Sequence, residues 1–336
     1  MKDNYNKIFI DEKIWQKFTS EEMEQYVESV FQHYRRNGFP YFIYDVEKNR
    51  KKFQKLIKYN SNLWNEKTIK QTMHGLDIAW SYFPHAWEIE CNGSITPMMV
   101  FNDDIMFRDA IKKRIKLGDA MSDNMIRKVL CIYNKAKRVS NFRPTAARAI
   151  YEKFDAKVVY DMSAGFGGRL LGAMSSKNSI NYYGVDPSVK TFIGLQNLIK
   201  DLKDMFLGTA IVNQVGSEEY IPPEPIDMAF TSPPYFDTEK YSNEDTQSYI
   251  KYPSYNNWVN NFLGSTFENC HKALKNNGTM VINIANTSKY KNLENDTIDI
   301  ANKIGFKLID KNYLILSQVS KKTGYKTEPI YIFSKK

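Results

Sequence analysis

Positions 231–235 read Thr-Ser-Pro-Pro-Tyr, directly after the apolar run Ile-Asp-Met-Ala-Phe at 226–230. The two prolines fix φ and remove two backbone donors. The carbonyls of the bend and the Ser232 hydroxyl are left as unopposed acceptors. A planar compound with an exocyclic amine offers two N–H donors to such a set, and the Tyr235 ring can stack on its face. A proline turn leaving a buried strand is the plainer alternative. The continuation favours chemistry: the chain from 235 to 258 is long and polar and carries Tyr235, Tyr241, Tyr249, Tyr252 and Tyr255. Loops of that length are usually lids or binding loops, although their tyrosines can equally pack beneath them.

A second cluster lies upstream. In the stretch 158–174, VVYDMSAGFGGRLLGAM, a loop of small residues separates a strand pattern from a helix pattern. Glycines there let backbone approach a ligand, and a helix start favours an anionic group. A lone glycine loop can also be a tight turn. No Lys follows it in a G-x-x-x-x-G-K-[ST] sequence, which argues against a nucleoside triphosphate, and the spacing is not that of a dinucleotide loop. After the next strand pattern stands GVDPS, whose Asp186 can accept both hydroxyls of a ribose. After the third stands VGSEEY, whose Glu218 can meet an adenine edge. All three features sit at the carboxyl ends of successive strands.

These residues resemble the family of S-adenosylmethionine-dependent amino-methyltransferases that act on DNA bases. DMSAGFGG at 161–168 resembles the family's cofactor loop, and TSPPY its catalytic Ser-Pro-Pro-Tyr with the preceding Thr. NFRPTAARAIYEKF at 141–154 is similar to the segment that covers the methionine end of the cofactor. The likeness runs over roughly 138–336, with the loop before the catalytic motif.

The resemblance implies S-adenosyl-L-methionine as cofactor. Asp161, Ala164, Gly165 and Gly167 would line its methionine part, Asp186 would hold its ribose, Glu218 and Thr231 would complete the pocket, and Arg143, Pro144 and Thr145 would sit near the carboxylate. It also implies a base flipped out of the duplex, stacked on Tyr235 and held at Pro233 and Pro234, with Ser232 and the Pro233 carbonyl accepting from the amine. That would free the nitrogen lone pair for in-line attack on the sulfonium methyl, with much of the rate coming from positioning. A Ser at the first position of the tetrapeptide is commoner among cytosine-N4 enzymes, and an Asp among adenine-N6 ones. Cytosine N4 is therefore the leading target and adenine N6 the alternative. An RNA base methyltransferase of the same fold and a catalytically silent DNA-binding module are further readings. Carbon-5 methylation needs a thiolate, usually in Pro-Cys, but Glu90, Leu130 and Asn269 precede the three cysteines.

Elements that would position these residues follow from pattern. Apolar runs at 157–160, 181–185, 210–215, 226–230 and 279–285 read as strands, mostly parallel because helix-length segments separate most of them. Runs at 312–317 and 329–334 flank the turn KKTGYK and read as a terminal hairpin. The expectation is an α/β, Rossmann-like seven-stranded methyltransferase sheet over residues 139–336, behind a mainly helical, basic region over residues 1–138. In that region Thr19 and Glu22 form a capping-box pattern ahead of Met23, Val27, Val30, Phe31 and Tyr34 on one face, closed by Asn37-Gly38. A basic amphipathic stretch follows from Glu47, and the aromatic-rich 67–104 has no clean period.

The 336 residues carry a net charge of +9. From Ile105 to Ile150 twelve Lys and Arg face three acids, an excess equal to that of the whole chain. A solvated helix face is one reading; a surface that tracks phosphates fits better. DNA is the expected partner, through segment 105–150 and the lid 236–258, and a cognate restriction endonuclease is a partner that such an enzyme can have. The three cysteines lie far apart and the four histidines show no ligand spacing, so neither a disulfide nor a metal is expected. No apolar stretch approaches membrane-span or signal-peptide length, which leads to the expectation of a cytoplasmic protein.

Overall fold

The structure is a computed structural model that describes residues 8, 10, 12–60, 62–118, 120–318 and 325–335. The chain forms two compact units. One comprises Met1–Phe42 with Pro84–Val139, and the other Ile43–Phe83 with Ser140–Lys336. The sequence suggests a single boundary near 138. The chain instead passes between the units three times, and Ile43–Phe83 belongs to the second unit, in which it finds its packing partners.

The first unit is helical. Its longest helix, Ser20–Asn37, begins with both capping-box bonds: Glu22 N donates to Thr19 Oγ1 at 3.2 Å, and Thr19 N donates to Glu22 Oε2 at 2.7 Å. Gly38, with φ +82°, ends it. The helix buries Val27, Val30, Phe31 and Tyr34 against Phe107, Ala110 and Ile111 of helix Asp104–Lys116 and Ile126 and Val129 of helix Asp123–Leu130. Much of the basic segment is used internally here. Arg108 pairs with Glu28 at 2.8 Å and lies 3.5 Å over the Phe31 ring, and Lys112 pairs with Glu24 at 2.9 Å. Arg127 donates to the Pro40 carbonyl and covers Phe42, Arg138 covers Trp87, and Arg114 is buried. Lys116, Lys128, Lys135 and Lys137 remain exposed.

The second unit is built on a nine-stranded sheet. Its strands in chain order are β1 (Trp64–Asn65), β2 (Thr68–Ile69), β3 (Val158–Asp161), β4 (Asn181–Val185), β5 (Thr209–Asn213), β6 (Ile226–Thr231), β7 (Leu274–Asn283), β8 (Phe306–Gln318) and β9 (Tyr325–Lys335). Their order across the sheet is β1-β2-β8-β9-β7-β6-β3-β4-β5. From β5 to β7 all neighbours are parallel; β9 runs antiparallel to both β7 and β8. This is the expected Rossmann-like sheet with its terminal hairpin. Residues 321–324 of the expected hairpin turn lie outside the described residues. The two extra strands, β1 and β2, come from the segment 43–83, with β2 pairing parallel to β8.

Strand order reverses at β3, which has β4 on one side and β6 on the other. In open α/β sheets such a switch point opens a crevice at the carboxyl ends of the strands. β3 and β6 are buried almost throughout because helices cover both faces, which is why they read as unbroken apolar runs. One face packs Tyr160, Met280, Ile282 and Phe333 against Trp258, Phe262, Phe267 and Cys270. Helix Val46–Lys58 of the inserted segment is held by Asn49, which donates to Ser81 Oγ at 2.9 Å, and by a two-pronged Arg50–Asp204 pair at 2.8 and 2.6 Å.

Candidate active site

Asp161 ends β3 and is fully buried. Its Oδ2 accepts from Arg169 Nε at 2.9 Å and from the Tyr182 hydroxyl at 2.7 Å. Its Oδ1 accepts from Ser163 N and from Thr231 Oγ1, both at 3.2 Å. Arg169 also donates to the Ser163 carbonyl. One carboxylate thus sets the start of the glycine loop and the end of β6. Removing it would strand a buried guanidinium.

The loop crosses from β3 to helix Gly168–Met174 with Gly165 at φ +53° and Gly167 at φ +69°, a region in which residues with a Cβ are strained. Ala164 N donates to the Val185 carbonyl at 2.9 Å, and Asn141 Nδ2 to the Phe166 carbonyl at 2.9 Å. The rings of Trp80 and Phe83 pack on Phe166 at 5.5 and 5.6 Å between centroids. Sequence reasoning misses Gly168, yet a Cβ there would overlap the Phe142 carbonyl oxygen. The double glycine is the available signal. Trp80 and Phe83 carry none, and Asn141 only opens the segment 141–154 singled out in the sequence.

Asp186 follows β4 and is half-buried. Its Oδ2 accepts from Gly165 N and its Oδ1 from Ser188 N, each at 3.0 Å. Burial pushes its carboxyl up to about 7, against those two N–H bonds, with Asp161 and Glu244 adding to the rise. Glu218 follows β5 and pairs with Lys251 Nζ at 2.8 Å. Arg143 precedes helix Pro144–Lys153 and donates to the Asn141 carbonyl at 2.8 Å, and Pro144 is the first residue of the helix. Thr145, fully buried, shares a 3.1 Å hydrogen bond with the Thr72 hydroxyl and accepts from Thr72 N at 3.2 Å. Segment 43–83 therefore reaches this corner as well.

The tetrapeptide leaves β6 at the same sheet edge. Pro233 is buried, and Ser232, Pro234 and Tyr235 are half-buried. Burial holds the Tyr235 phenol far above its ordinary range, with Glu328 and Glu239 adding to this and hydrogen bonds from Ser232 and Ala285 opposing it. Thr238 N donates to the Tyr235 carbonyl at 3.2 Å, closing the turn. Phe236 adopts φ +55°, an uncommon conformation for a residue with a side chain. Its ring is held among Tyr255, Trp258 and Tyr290 at 5.4 to 5.9 Å. The tyrosines after it mostly pack or bond beneath the loop. Tyr255 stacks on Tyr290 at 4.8 Å and donates to Asp296, and Tyr249 donates to the Ser242 carbonyl. The structure thus brings the glycine loop, Asp186, Glu218, Thr231 and Ser232–Tyr235 to the carboxyl edges of adjacent strands.

The residues fit S-adenosylmethionine: a backbone cradle that excludes Cβ atoms, an acid after β4 and a second acid after β5. Among the described residues, no group of three or more His, Cys, Asp or Glu is placed to hold a metal ion. Nor is any of their helices long and apolar enough to cross a membrane.

No curated protein matches the chain. Solved structures similar to it include a methyltransferase from Pyrococcus furiosus (14% identity, 57% of this chain and 82% of that one, TM-score 0.40). TrmN from Thermus thermophilus (11% identity, 57% of this chain and 48% of that one, TM-score 0.37) is another. A TehB-like SAM-dependent methyltransferase from Corynebacterium glutamicum (14% identity, 59% of this chain and 90% of that one, TM-score 0.37) is a third. The chain spans about half the length of TrmN. Residues 226–336, which begin at the strand carrying the Ser-Pro-Pro-Tyr motif, match the N6_N4_Mtase family of DNA methylases, the family that the sequence motifs resemble.

Proposed function

We propose that this protein is an S-adenosylmethionine-dependent DNA methyltransferase that modifies an exocyclic base amine, with cytosine N4 as the target. The observation that carries this reading is the bond from Thr231 Oγ1 to Asp161. It ties the base-amine motif to the carboxylate beneath the cofactor loop, so acceptor and donor sites share one sheet edge.

When bound, the cofactor supplies an electrophilic sulfonium methyl. Asp186 accepts its ribose hydroxyls, and the N–H groups and glycines of 163–168 line its methionine end, which Arg143, Pro144 and Thr145 close. Ser232 Oγ and the Pro233 carbonyl accept the two N–H bonds of the target amine. Tyr235 and Pro234 bracket the flipped base. Taking up both N–H protons in hydrogen bonds raises electron density at nitrogen and fixes its line of attack. Ser232, rather than an acid, at the first position favours cytosine N4 over adenine N6. Exposed Lys116, Lys128, Lys135 and Lys137 supply contacts to the DNA backbone.

The test is incubation with methyl-labelled cofactor and separate DNA and RNA, followed by identification of the labelled nucleoside. N4-methylcytosine is expected. N6-methyladenine would transfer the reading to adenine, and label in RNA alone would reject DNA as substrate. Ser232→Ala and Tyr235→Ala should each abolish most incorporation. Unchanged incorporation in both would remove the motif from the active site.

A further inference from the structure

The residues that continue from the catalytic motif reach all three cofactor loops. The Tyr241 ring lies 6.2 Å from the Phe166 ring of the glycine loop. Glu244 Oε1 accepts from Val189 N at 2.9 Å and so caps helix Val189–Leu202, just after Asp186. The Thr246 hydroxyl donates to the Pro187 carbonyl at 3.4 Å. Lys251 Nζ donates to Glu218 Oε1 at 2.8 Å and to Glu219, and the Tyr252 hydroxyl reaches Glu218 Oε1 at 3.5 Å. Trp258 Nε1 anchors the far end by donating to Ser248 Oγ at 3.1 Å.

The Glu218 side chain is only 4% exposed, and its two oxygens differ. Oε1 carries the Lys251 and Tyr252 bonds, whereas Oε2 is buried with no hydrogen-bond partner. A buried carboxylate oxygen without a donor is costly, and such an atom at a candidate site calls for a ligand donor. The carboxylate is seated against Gly216, where an added Cβ would meet Glu218 Oε2 first and fall 2.8 Å from its Cδ. Asn269 Nδ2 donates to the Ser217 and Glu218 carbonyls at 3.2 and 3.0 Å, which fixes the backbone of this turn.

We propose that Lys251 is a positioning residue for the cofactor's adenosine: by occupying Glu218 Oε1 it holds Oε2 as a fixed acceptor for an N–H or O–H donor of that group. This rests on the cofactor reading above and extends it to a residue outside the motifs. It also means that the segment carrying the base clamp completes the cofactor pocket.

The experiment uses the full chain and S-adenosylhomocysteine, titrated calorimetrically, with steady-state methyl transfer in parallel. Lys251→Met should raise the Kd for S-adenosylhomocysteine about tenfold and the KM for the methyl donor in step, with kcat within about twofold. Lys251→Arg should restore most of the affinity, which a purely structural role in the loop would not require. Gly216→Ala, which displaces the carboxylate and leaves Lys251 in place, should weaken binding similarly. The proposal is overturned if folded Lys251→Met or Gly216→Ala binds S-adenosylhomocysteine like the parent, or if kcat falls at unchanged Kd. Parent protein that binds S-adenosylhomocysteine yet methylates no base would sink the proposed reaction alone. Base methylation by the parent, with Lys251→Met binding unaffected, would sink this inference alone.

Discussion

Thr231 Oγ1 donates to Asp161 Oδ1 at 3.2 Å, so the last residues of two neighbouring parallel strands are held by one carboxylate. Thr231→Val keeps the shape and removes that donor. A lost hydrogen bond to a buried charge costs about 1.5–3 kcal/mol, here shared with the three donors that remain. Denaturant unfolding should show a loss near the lower end of that range. Methyl transfer should fall more than S-adenosylhomocysteine affinity, because β6 carries Ser232. An unchanged kcat would show that the bond does not position the motif.

Asp186 ties affinity to pH. Its folded carboxyl, pushed up to about 7, lies above its ordinary value, so the fold favours the protonated form. The stability this contributes is fully present below about pH 4 and is lost as pH rises through about 7. Two ribose hydroxyls can both donate only to the ionised carboxylate. Affinity for S-adenosylhomocysteine should therefore rise between about pH 6 and about pH 8 with release of a proton. Calorimetry in buffers of different ionisation heat measures that release. Asp186→Asn should bind weakly with a flat profile, and a flat profile in the parent would refute the assignment.

Gly168 has no room for a side chain. Gly168→Ala would drive a methyl into the Phe142 carbonyl at the point where the glycine loop becomes a helix. Overpacking at rigid backbone typically costs about 1–3 kcal/mol or more. Thermal unfolding should drop by several degrees, whereas Gly38→Ala, with open space around its Cβ position but φ +82°, should lose less. Equal losses at the two sites would show that the Phe142 carbonyl gives way.

Charge at 105–150 is divided between structure and surface. Replacing the exposed Lys116, Lys128 and Lys137 by Gln should lower the slope of log affinity for DNA against log salt by about one for each phosphate no longer neutralised. Unfolding should be unaffected. Arg108→Gln should instead lower stability by removing the Glu28 pair and its cover over Phe31. An unaltered slope in the triple lysine variant would remove this surface from DNA binding.

The sheet was legible because β3, β4 and β6 are covered on both faces and so are continuously apolar. The tetrapeptide was legible because two adjacent prolines at a strand exit are chemically unusual. Apart from the amphipathic stretch that forms helix Val46–Lys58, Ile43–Phe83 was not legible. Its strands are two residues long and its helix Leu76–Tyr82 seven, too short to show a period, and its partners Thr145 and Phe166 lie far along the chain. Residues 258–263 form a π-helix, for which side-chain spacing offers no pattern. Counting charges could not separate an Arg that donates to a carbonyl, as Arg127 does, from a Lys left in solvent.

Order of synthesis gives the insertion of Ile43–Phe83 a further meaning. This segment leaves the ribosome well before Thr145, Phe166 and β8, the partners that its Thr72, Trp80 and β2 meet in the finished unit. The helical unit is complete in sequence once Val139 has emerged, while the second unit waits for its last strand. A nascent chain halted near residue 200 would carry β2 without β8, the strand it pairs with.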